Sequence, residues 1–331
     1  MKIRILTAED VGRALPMDAA IAGMKEAYRQ LSVGEATVPL RSRIEMDSGS
    51  RVALFMPAAM HGDAADGLAV KVVSVFSENP ARGLPLIHAV VLVLEADSGR
   101  PLALLEGGTL TAIRTGAGSG AATDLLARPD AATLAIFGCG VQARTQLRAV
   151  CTVRAIKRGA VYNPDPAEAD GFVTEMRGQG PIPNDLRVAA SPQQALAGAD
   201  IICTATTSSS PVFDGADLKP GMHINAVGAF TPEMQEVDAE TIRRALVVVD
   251  SREGVLAEAG DLIAPIRAGV VTEEHIHAEL GEIVAGGKPG RTSPEQITYF
   301  KSCGVAVQDV AAAQIALAGA ERLGLGSLIS L

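Results

Sequence analysis

The stretch Thr133-Leu134-Ala135-Ile136-Phe137-Gly138-Cys139-Gly140-Val141-Gln142-Ala143 constrains the fold more than any other part of this chain. An apolar run with strand character feeds into Gly-x-Gly-x-x-Ala, and a segment compatible with helix follows. That order is the grammar of a dinucleotide-binding turn in a βαβ unit. Gly138 permits the tight turn, Gly140 lets a pyrophosphate approach the backbone, and Ala143 is small enough for the helix to pack on the sheet. The helix start then offers unpaired N–H groups to phosphate. Any βα turn can carry such a pattern by chance, so context decides. A second apolar run ends at Asn163, about 23 residues after Gly140, where the residue contacting an adenosine ribose belongs.

The rest of the chain divides by rhythm. Thr7 to Asp10 reads as a helix cap, and an amphipathic helix is predicted over Met17 to Val33. Strands are predicted over Val38–Met46, Arg51–Met56, Leu68–Phe76 and His88–Glu95, punctuated by Gly and Pro. Strands in succession without helices between them imply an antiparallel or mixed sheet. From about Thr109 a run of tiny residues suggests a helix with one face pressed against a neighbour. Strand and helix then alternate: Thr133–Phe137, Val141–Val150, Ala160–Tyr162, Ala167–Arg177, Leu186–Ala189, Pro192–Ala197, Ile201–Thr204, His223–Ala226 and Leu246–Val249. This is the pattern of a doubly wound parallel sheet. A helix from about Gly304 to Leu323 closes the chain. The predicted fold class is α/β, with a Rossmann-type doubly wound sheet and a further α+β region.

At 331 residues and 48% hydrophobic, the chain can build more than one core. A net charge of −9 argues against a nucleic-acid partner, which needs a basic face. No apolar run reaches transmembrane length and the N-terminus lacks a signal-peptide core, so neither a membrane nor an export route is expected, and the cytoplasm is the default. Cys139, Cys151, Cys203 and Cys303 match no zinc or redox spacing, and His275 and His277 diverge on a helix. No metal is expected.

Two cations stand in unusual surroundings. Lys71 lies inside the nearly all-apolar run Leu68–Phe76, so it either points to solvent from an edge strand or enters a cleft. Desolvation would lower its pKa towards neutrality. Arg114 sits in the small-residue helix ahead of the dinucleotide fingerprint, and its guanidinium fork suits a carboxylate or phosphate. Arg41, in Pro39-Leu40-Arg41, is a weaker candidate. The strand ends at Thr204–Thr207, Asn225–Ala229 and Asp250-Ser251 should border a cofactor crevice.

Together these segments resemble the ornithine cyclodeaminase/mu-crystallin family. The resemblance runs through Gly99-Arg100-Pro101-Leu102-Ala103-Leu104-Leu105-Glu106-Gly107-Gly108, Thr109 to Ala117, the Gly138 fingerprint, Pro220 to Ala229, and Phe300 to Asp309. It implies a homodimer with two domains. Residues 1–113 and 307–331 would form a substrate-binding and dimerisation domain, and 114–306 a Rossmann NAD(P)-binding domain. It also implies that Arg41, Lys71 and Arg114 bind substrate, with Lys71 and Arg114 catalytic. Cofactor contacts would fall to Gly138, Gly140, Val141, Gln142, Asn163, Thr206, Ile224, Asn225, Ala226, Val227 and Ser302.

One departure from the family pattern matters. Cyclodeaminases and related alanine dehydrogenases carry an aspartate directly after the run matching Val227-Gly228-Ala229, and here that residue is Phe230. A phenyl ring neither accepts a proton nor pairs with an ammonium. The following Thr231 to Glu236 looks more like the ketimine-reductase branch, with Glu233 as a substitute carboxylate. The resemblance therefore implies an oxidoreductase of proline metabolism. It would reduce pyrroline-2-carboxylate or piperideine-2-carboxylate to L-proline or L-pipecolate. Ornithine cyclodeamination, amino-acid dehydrogenation and a non-enzymatic ligand-binding role are the alternatives. Asn163, followed by Pro164-Asp165 with no arginine, favours NAD(H), with NADP(H) the alternative.

Overall fold

The computed structural model describes residues 2–46, 50–62 and 66–330. The chain forms two compact units, one of residues 1–114 and 305–331 and one of residues 115–304.

The first unit opens with β1 (Lys2–Leu6), α1 (Ala8–Ala14) and α2 (Met17–Ser32). Thr7 and Asp10 form a reciprocal capping box, each side chain accepting from the other's backbone N–H. On α2 the buried positions Ala20, Ile21, Met24, Ala27 and Tyr28 recur at helical spacing, so one face is apolar. Six strands follow: β2 (Ala36–Thr37), β3 (Ser42–Met46), β4 (Arg51–Met60), β5 (Gly67–Phe76), β6 (Ile87–Leu94) and β7 (Pro101–Glu106). Of the strand predicted over Val38–Met46 only Ser42–Met46 forms, and the short β2 precedes the predicted span. Pro39 has no N–H for a ladder, and β2 and β3 pair with opposite ends of β4. Strands β3 to β7 pair antiparallel, but β1 joins β7 in parallel, so the sheet is mixed.

Helix α3 (Gly107–Leu126) carries the tiny residues. A Cβ built on its Gly116 would lie 2.6 Å from the Thr145 carbonyl oxygen, so only glycine permits this close approach of backbones. The second unit continues with β8 (Thr133–Phe137), α4 (Val141–Val153), β9 (Arg158–Tyr162), α5 (Pro166–Met176), β10 (Asp185–Val188), α6 (Pro192–Leu196), β11 (Ile201–Thr204) and β12 (His223–Ala226). It ends with α7 (Ala239–Arg244), β13 (Ala245–Val249), α8 (Arg252–Glu258), α9 (Gly260–Arg267), β14 (Ile276–Glu279), α10 (Leu280–Val284) and β15 (Ile297–Lys301). Its eight strands run β10-β9-β8-β11-β12-β15-β13-β14, all paired parallel. Both faces of β8 are buried: Leu134 and Ile136 enter one core, Ala135 and Phe137 the other. That two-sided burial is why the strand reads as continuous apolar sequence. The strand order reverses between β8 and β11, which is the switch point of a doubly wound sheet.

The first unit is completed by α11 (Ala306–Leu323) and β16 (Ser327–Ser330), the latter antiparallel to β1. Helix α11 packs along α1 and α2 and across β4, β5 and β6. Its alanine-rich sequence lets it lie close. Gly319 is the tightest point: an added Cβ would collide with the Ala14 carbonyl oxygen of α1.

Gly319→Ala is therefore expected to destabilise the protein by about 1–2 kcal/mol, because a backbone clash exceeds the roughly 1 kcal/mol that helix propensity returns. Gly12→Ala in α1, where an added Cβ meets nothing within 4 Å, is expected to stabilise by up to about 1 kcal/mol. Urea denaturation midpoints of the two variants should move in opposite directions.

Candidate active site

In the first unit the site begins with Lys71. It sits mid-strand on β5, opposite Met56 of β4 and Val91 of β6, and is only 2% exposed. β5 is an interior strand, which rules out the solvent-edge alternative. The Lys71 Nζ lies 2.7 Å from Asp309 Oδ2, in the first turn of α11. A helix N-terminus favours a carboxylate there. Arg114 reaches the same group from α3, with Nε 3.2 Å from Asp309 Oδ1. Its Nη1 donates to Gln308 Oε1 at 2.8 Å, and Gln308 Nε2 donates to the Tyr28 hydroxyl at 2.6 Å.

Lys71 and Arg114 are two cations and Asp309 is one carboxylate, so the charged cluster carries one excess positive charge. Burial pushes the Lys71 pKa down to about 8; Asp309 pulls it up, and Arg114 and Arg41 push it down. Arg41, between β2 and β3, thus acts electrostatically on this cluster. The contacts are close but misaligned: neither Asp309 oxygen nor Arg114 Nε has an aligned hydrogen bond. Burying each ion costs several kcal/mol before pairing. A small anion would balance the charge and use the donor capacity left at Arg114. The cluster is suited to binding a carboxylate and holding a transferable proton on Lys71 Nζ.

The sequence reading did not assign a role to Asp309, Gln308 or Tyr28. The available signal was the pair Gln308-Asp309 at the head of an otherwise apolar helix. Nothing local says that it meets a lysine more than two hundred residues earlier in the chain.

The second unit carries the turn that the sequence marks for a dinucleotide. Register aligns Phe137, Tyr162, Thr204, Ala226, Val249 and Lys301 along one edge, the carboxyl ends of six strands. Gly138 turns the chain at φ 99°, and a Cβ there would fall 2.5 Å from the Ala205 carbonyl oxygen. Gly140 is the N-cap of α4 and has no side-chain cap, and a Cβ built on it meets nothing within 4 Å. Val141 is 64% exposed, and the buried Gln142 Oε1 has no partner. Open space before the first N–H groups of α4 fits a pyrophosphate. Arg144 braces the turn by donating to the Cys139 and Gly140 carbonyls.

At the end of β9, Asn163 Nδ2 donates to Glu168 Oε2 at 2.8 Å. Asp165, expected to face a ribose phosphate if turned inward, instead caps α5 by accepting from Ala167 N at 2.9 Å. The carboxylate beside Asn163 is therefore Glu168, which the sequence reading passed over.

Other candidates are engaged differently from the expectation. Ile224 lies in the apolar core. Asn225 donates to Thr123 Oγ1 at 2.9 Å and contacts His223. Their side chains hold β12 in place, which leaves Ala226 and Val227 at the strand end. The Thr206 hydroxyl is spent on Glu236 and the Ser302 hydroxyl on Asp250. Phe230 is 43% exposed and Glu233 is exposed, whereas the acid buried beneath this loop is Glu236. Burial pushes the Cys151 and Cys203 thiols up to about 12, which makes them poor nucleophiles.

Comparison with known proteins gives the family of the chain. The chain is 40% identical over 326 residues to a Delta(1)-pyrroline-2-carboxylate reductase of Bacillus cereus, covering 98% of this chain and 99% of that one. It superposes on the Thermococcus litoralis Delta(1)-pyrroline-2-carboxylate reductase, solved in complex with NADH and L-proline, with TM-score 0.93 and 43% identity, covering 98% and 99% of the two chains. An archaeal alanine dehydrogenase dimer with bound NAD matches with TM-score 0.92 and 34% identity over the full length of both chains. Residues 1–321 match the ornithine cyclodeaminase/mu-crystallin family, and with a buried lysine–arginine–aspartate cluster in one unit and a dinucleotide turn in the other, this chain belongs to that family.

Proposed function

We propose that this protein reduces a cyclic ketimine 2-carboxylate with NAD(H), converting pyrroline-2-carboxylate to L-proline or piperideine-2-carboxylate to L-pipecolate. The observation that carries the reading is the buried Lys71–Asp309–Arg114 cluster, with its one excess positive charge. It calls for a small carboxylate and offers a proton. The pyrroline-2-carboxylate reductases at about 40% identity support the same substrate class.

A bound reduced nicotinamide supplies a hydride, and with it two electrons, to the imine carbon. The chain's own residues do the rest. Arg114 and Arg41 hold the substrate carboxylate. Lys71 Nζ holds a proton within reach of the imine nitrogen and gives it up as the C=N bond becomes CH–NH. Asp309 keeps Lys71 charged by pulling its pKa up against burial. The turn from Gly138 to Gln142 would hold the dinucleotide's pyrophosphate, and Asn163 and Glu168 would meet its adenosine end. A carboxylate there would repel a 2′-phosphate, which favours NAD(H) over NADP(H), and the NADH- and NAD-bound relatives support that choice. Phe230 leaves no acid where a cyclodeaminase needs one, which disfavours ornithine as substrate.

The protein is also proposed to be a homodimer through the first unit's sheet. Helix α11 covers the face carrying Ala69 and Lys71. Register places Phe55, Val72 and Val90 side by side on the other face, with Ile44 on the same face opposite Ala53, one row away. Ile44 is 51% and Val90 42% exposed, an apolar surface that a second copy would cover.

Five outcomes test these assignments. Across a panel of cyclic imines and amino acids followed by nicotinamide absorbance, turnover is expected with cyclic imines and NADH. Lys71→Ala and Arg114→Ala should each lower kcat/KM about 100-fold or more, with far-UV circular dichroism unchanged. Full activity in both variants would remove the cluster from the reaction. The wild-type kcat/KM for reduction should fall as pH rises through about 8, where Lys71 loses its proton. Asp309→Asn removes the charge that raises the Lys71 pKa, so the same limb should move to lower pH. Finally, Val90→Glu should turn a sedimenting dimer into a monomer, and an unchanged sedimentation coefficient would place the interface elsewhere.

A further inference from the structure

One buried carboxylate in the second unit is not used by the proposed chemistry, yet it gathers an unusual number of donors. Glu236 is fully buried. Its Oε1 accepts from Thr206 N at 2.7 Å and from Thr206 Oγ1 at 2.9 Å. Its Oε2 accepts from Thr204 Oγ1 at 2.9 Å, Gly228 N at 2.7 Å and Ala229 N at 3.3 Å. Thr204 ends β11 and Thr206 follows it, while Gly228 and Ala229 follow β12. One carboxylate therefore ties the two loops that leave these adjacent strands.

The tie is itself anchored. Asp261, at the start of α9, accepts from Glu236 N at 2.6 Å and Val237 N at 3.1 Å. Its other oxygen pairs with Lys301 Nζ at 2.7 Å and accepts from the Tyr299 hydroxyl at 3.3 Å. Lys301 ends β15, the strand beside β12. Burial, with the neighbouring Asp261 charge, holds the Glu236 pKa above its ordinary value, while the Lys301 charge and the Thr206 hydrogen bonds pull it back down. A Cβ on Gly228 would strike the Thr206 carbonyl and Glu236, so the two loops touch with no side chain between them.

We infer that Glu236 is a positioning residue for the nicotinamide end of the dinucleotide site, because it fixes the shape of the loops after β11 and β12. This rests on the NAD(H) reading above. A dinucleotide lying across the switch point puts its adenosine half beyond β9 and its nicotinamide half beyond β11 and β12. The Glu236 network lies wholly on the second side. None of the Glu236 hydrogen bonds reaches the turn from Gly138 to Gln142 or the Asn163–Glu168 pair, although the Thr206 methyl lies beside Gly138. Glu236 makes no contact with substrate in this arrangement; it acts through Thr206, Gly228 and Ala229.

The two halves of the cofactor give the test. Dissociation constants for NADH and for ADP-ribose, which lacks the nicotinamide, are measured by titration calorimetry on the wild-type protein and on Glu236→Gln. The variant should bind NADH at least about tenfold more weakly, while ADP-ribose affinity changes less than about twofold. If Glu236→Gln fails to fold, Thr204→Val removes a single donor and should show the same selectivity, at about threefold. Equal loss of both ligands would make Glu236 a general structural residue, and no loss of either would make the tie irrelevant to binding; each overturns the inference. A wild-type protein that binds neither ligand would instead overturn the NAD(H) reading, and this inference with it.

Discussion

The ion pair between Lys71 and Asp309, 2.7 Å apart and shut away from water, is the interaction on which the first unit turns. Two ions in a protein interior are costly unless they meet, and either one alone would be strongly destabilising there. The lysine comes from the middle of a central strand and the carboxylate from the last helix. The chain must therefore bring its C-terminal segment back onto the N-terminal sheet for either group to be tolerated. Arg114 joins the pair and tips the balance to net positive. What remains after the internal charges are matched is an appetite for one small anion. The same imbalance, together with burial, keeps the lysine proton only loosely held. Stability and reactivity at this place have the same electrostatic origin.

The second unit uses the opposite device. Its buried acids, Glu236, Asp261 and Asp250, spend their oxygens mostly on backbone N–H groups and hydroxyls at the strand ends. Strand ends in an open parallel sheet leave donors that a short loop cannot satisfy from its own carbonyls. A carboxylate beneath the loops satisfies several at once and fixes their shape. The turn from Gly138 to Gln142 is arranged differently: the start of α4 has no side-chain cap, and Gly140 keeps the space before it clear. Rigid loops on one side of the switch point and free N–H groups at it are complementary requirements for one elongated, anionic ligand.

Much of this was legible from local patterns. Strand β8 and the start of α4 fall where the fingerprint predicts them, and β11 and β12 match to the residue, because two-sided burial and glycine turns leave a strong local imprint. The small-residue helix α3 was legible for the same reason. Strands β1, β2, β7, β14, β15 and β16 were not read from the sequence. The burial patterns of β1, β7 and β14 mix buried and half-exposed positions, and β16 is exposed throughout. Their pairing comes from distant partners: β1 joins β7 in parallel across about a hundred residues, and β16 reaches β1 from the far end of the chain.

The candidate site divides along the same line. Sequence alone determined which residue types were out of place, a lysine in an apolar strand and an arginine in a helix of tiny residues, and it determined the dinucleotide turn, whose parts are contiguous. Only the tertiary structure decided that Lys71 is interior, that Asp309 is its counter-ion, that Glu168 rather than Asp165 pairs with Asn163, and that Glu236 lies beneath the loop where Glu233 had been the visible acid. Burial and short-range electrostatics depend on distances of a few ångströms between groups far apart in the chain, and no local pattern encodes such distances.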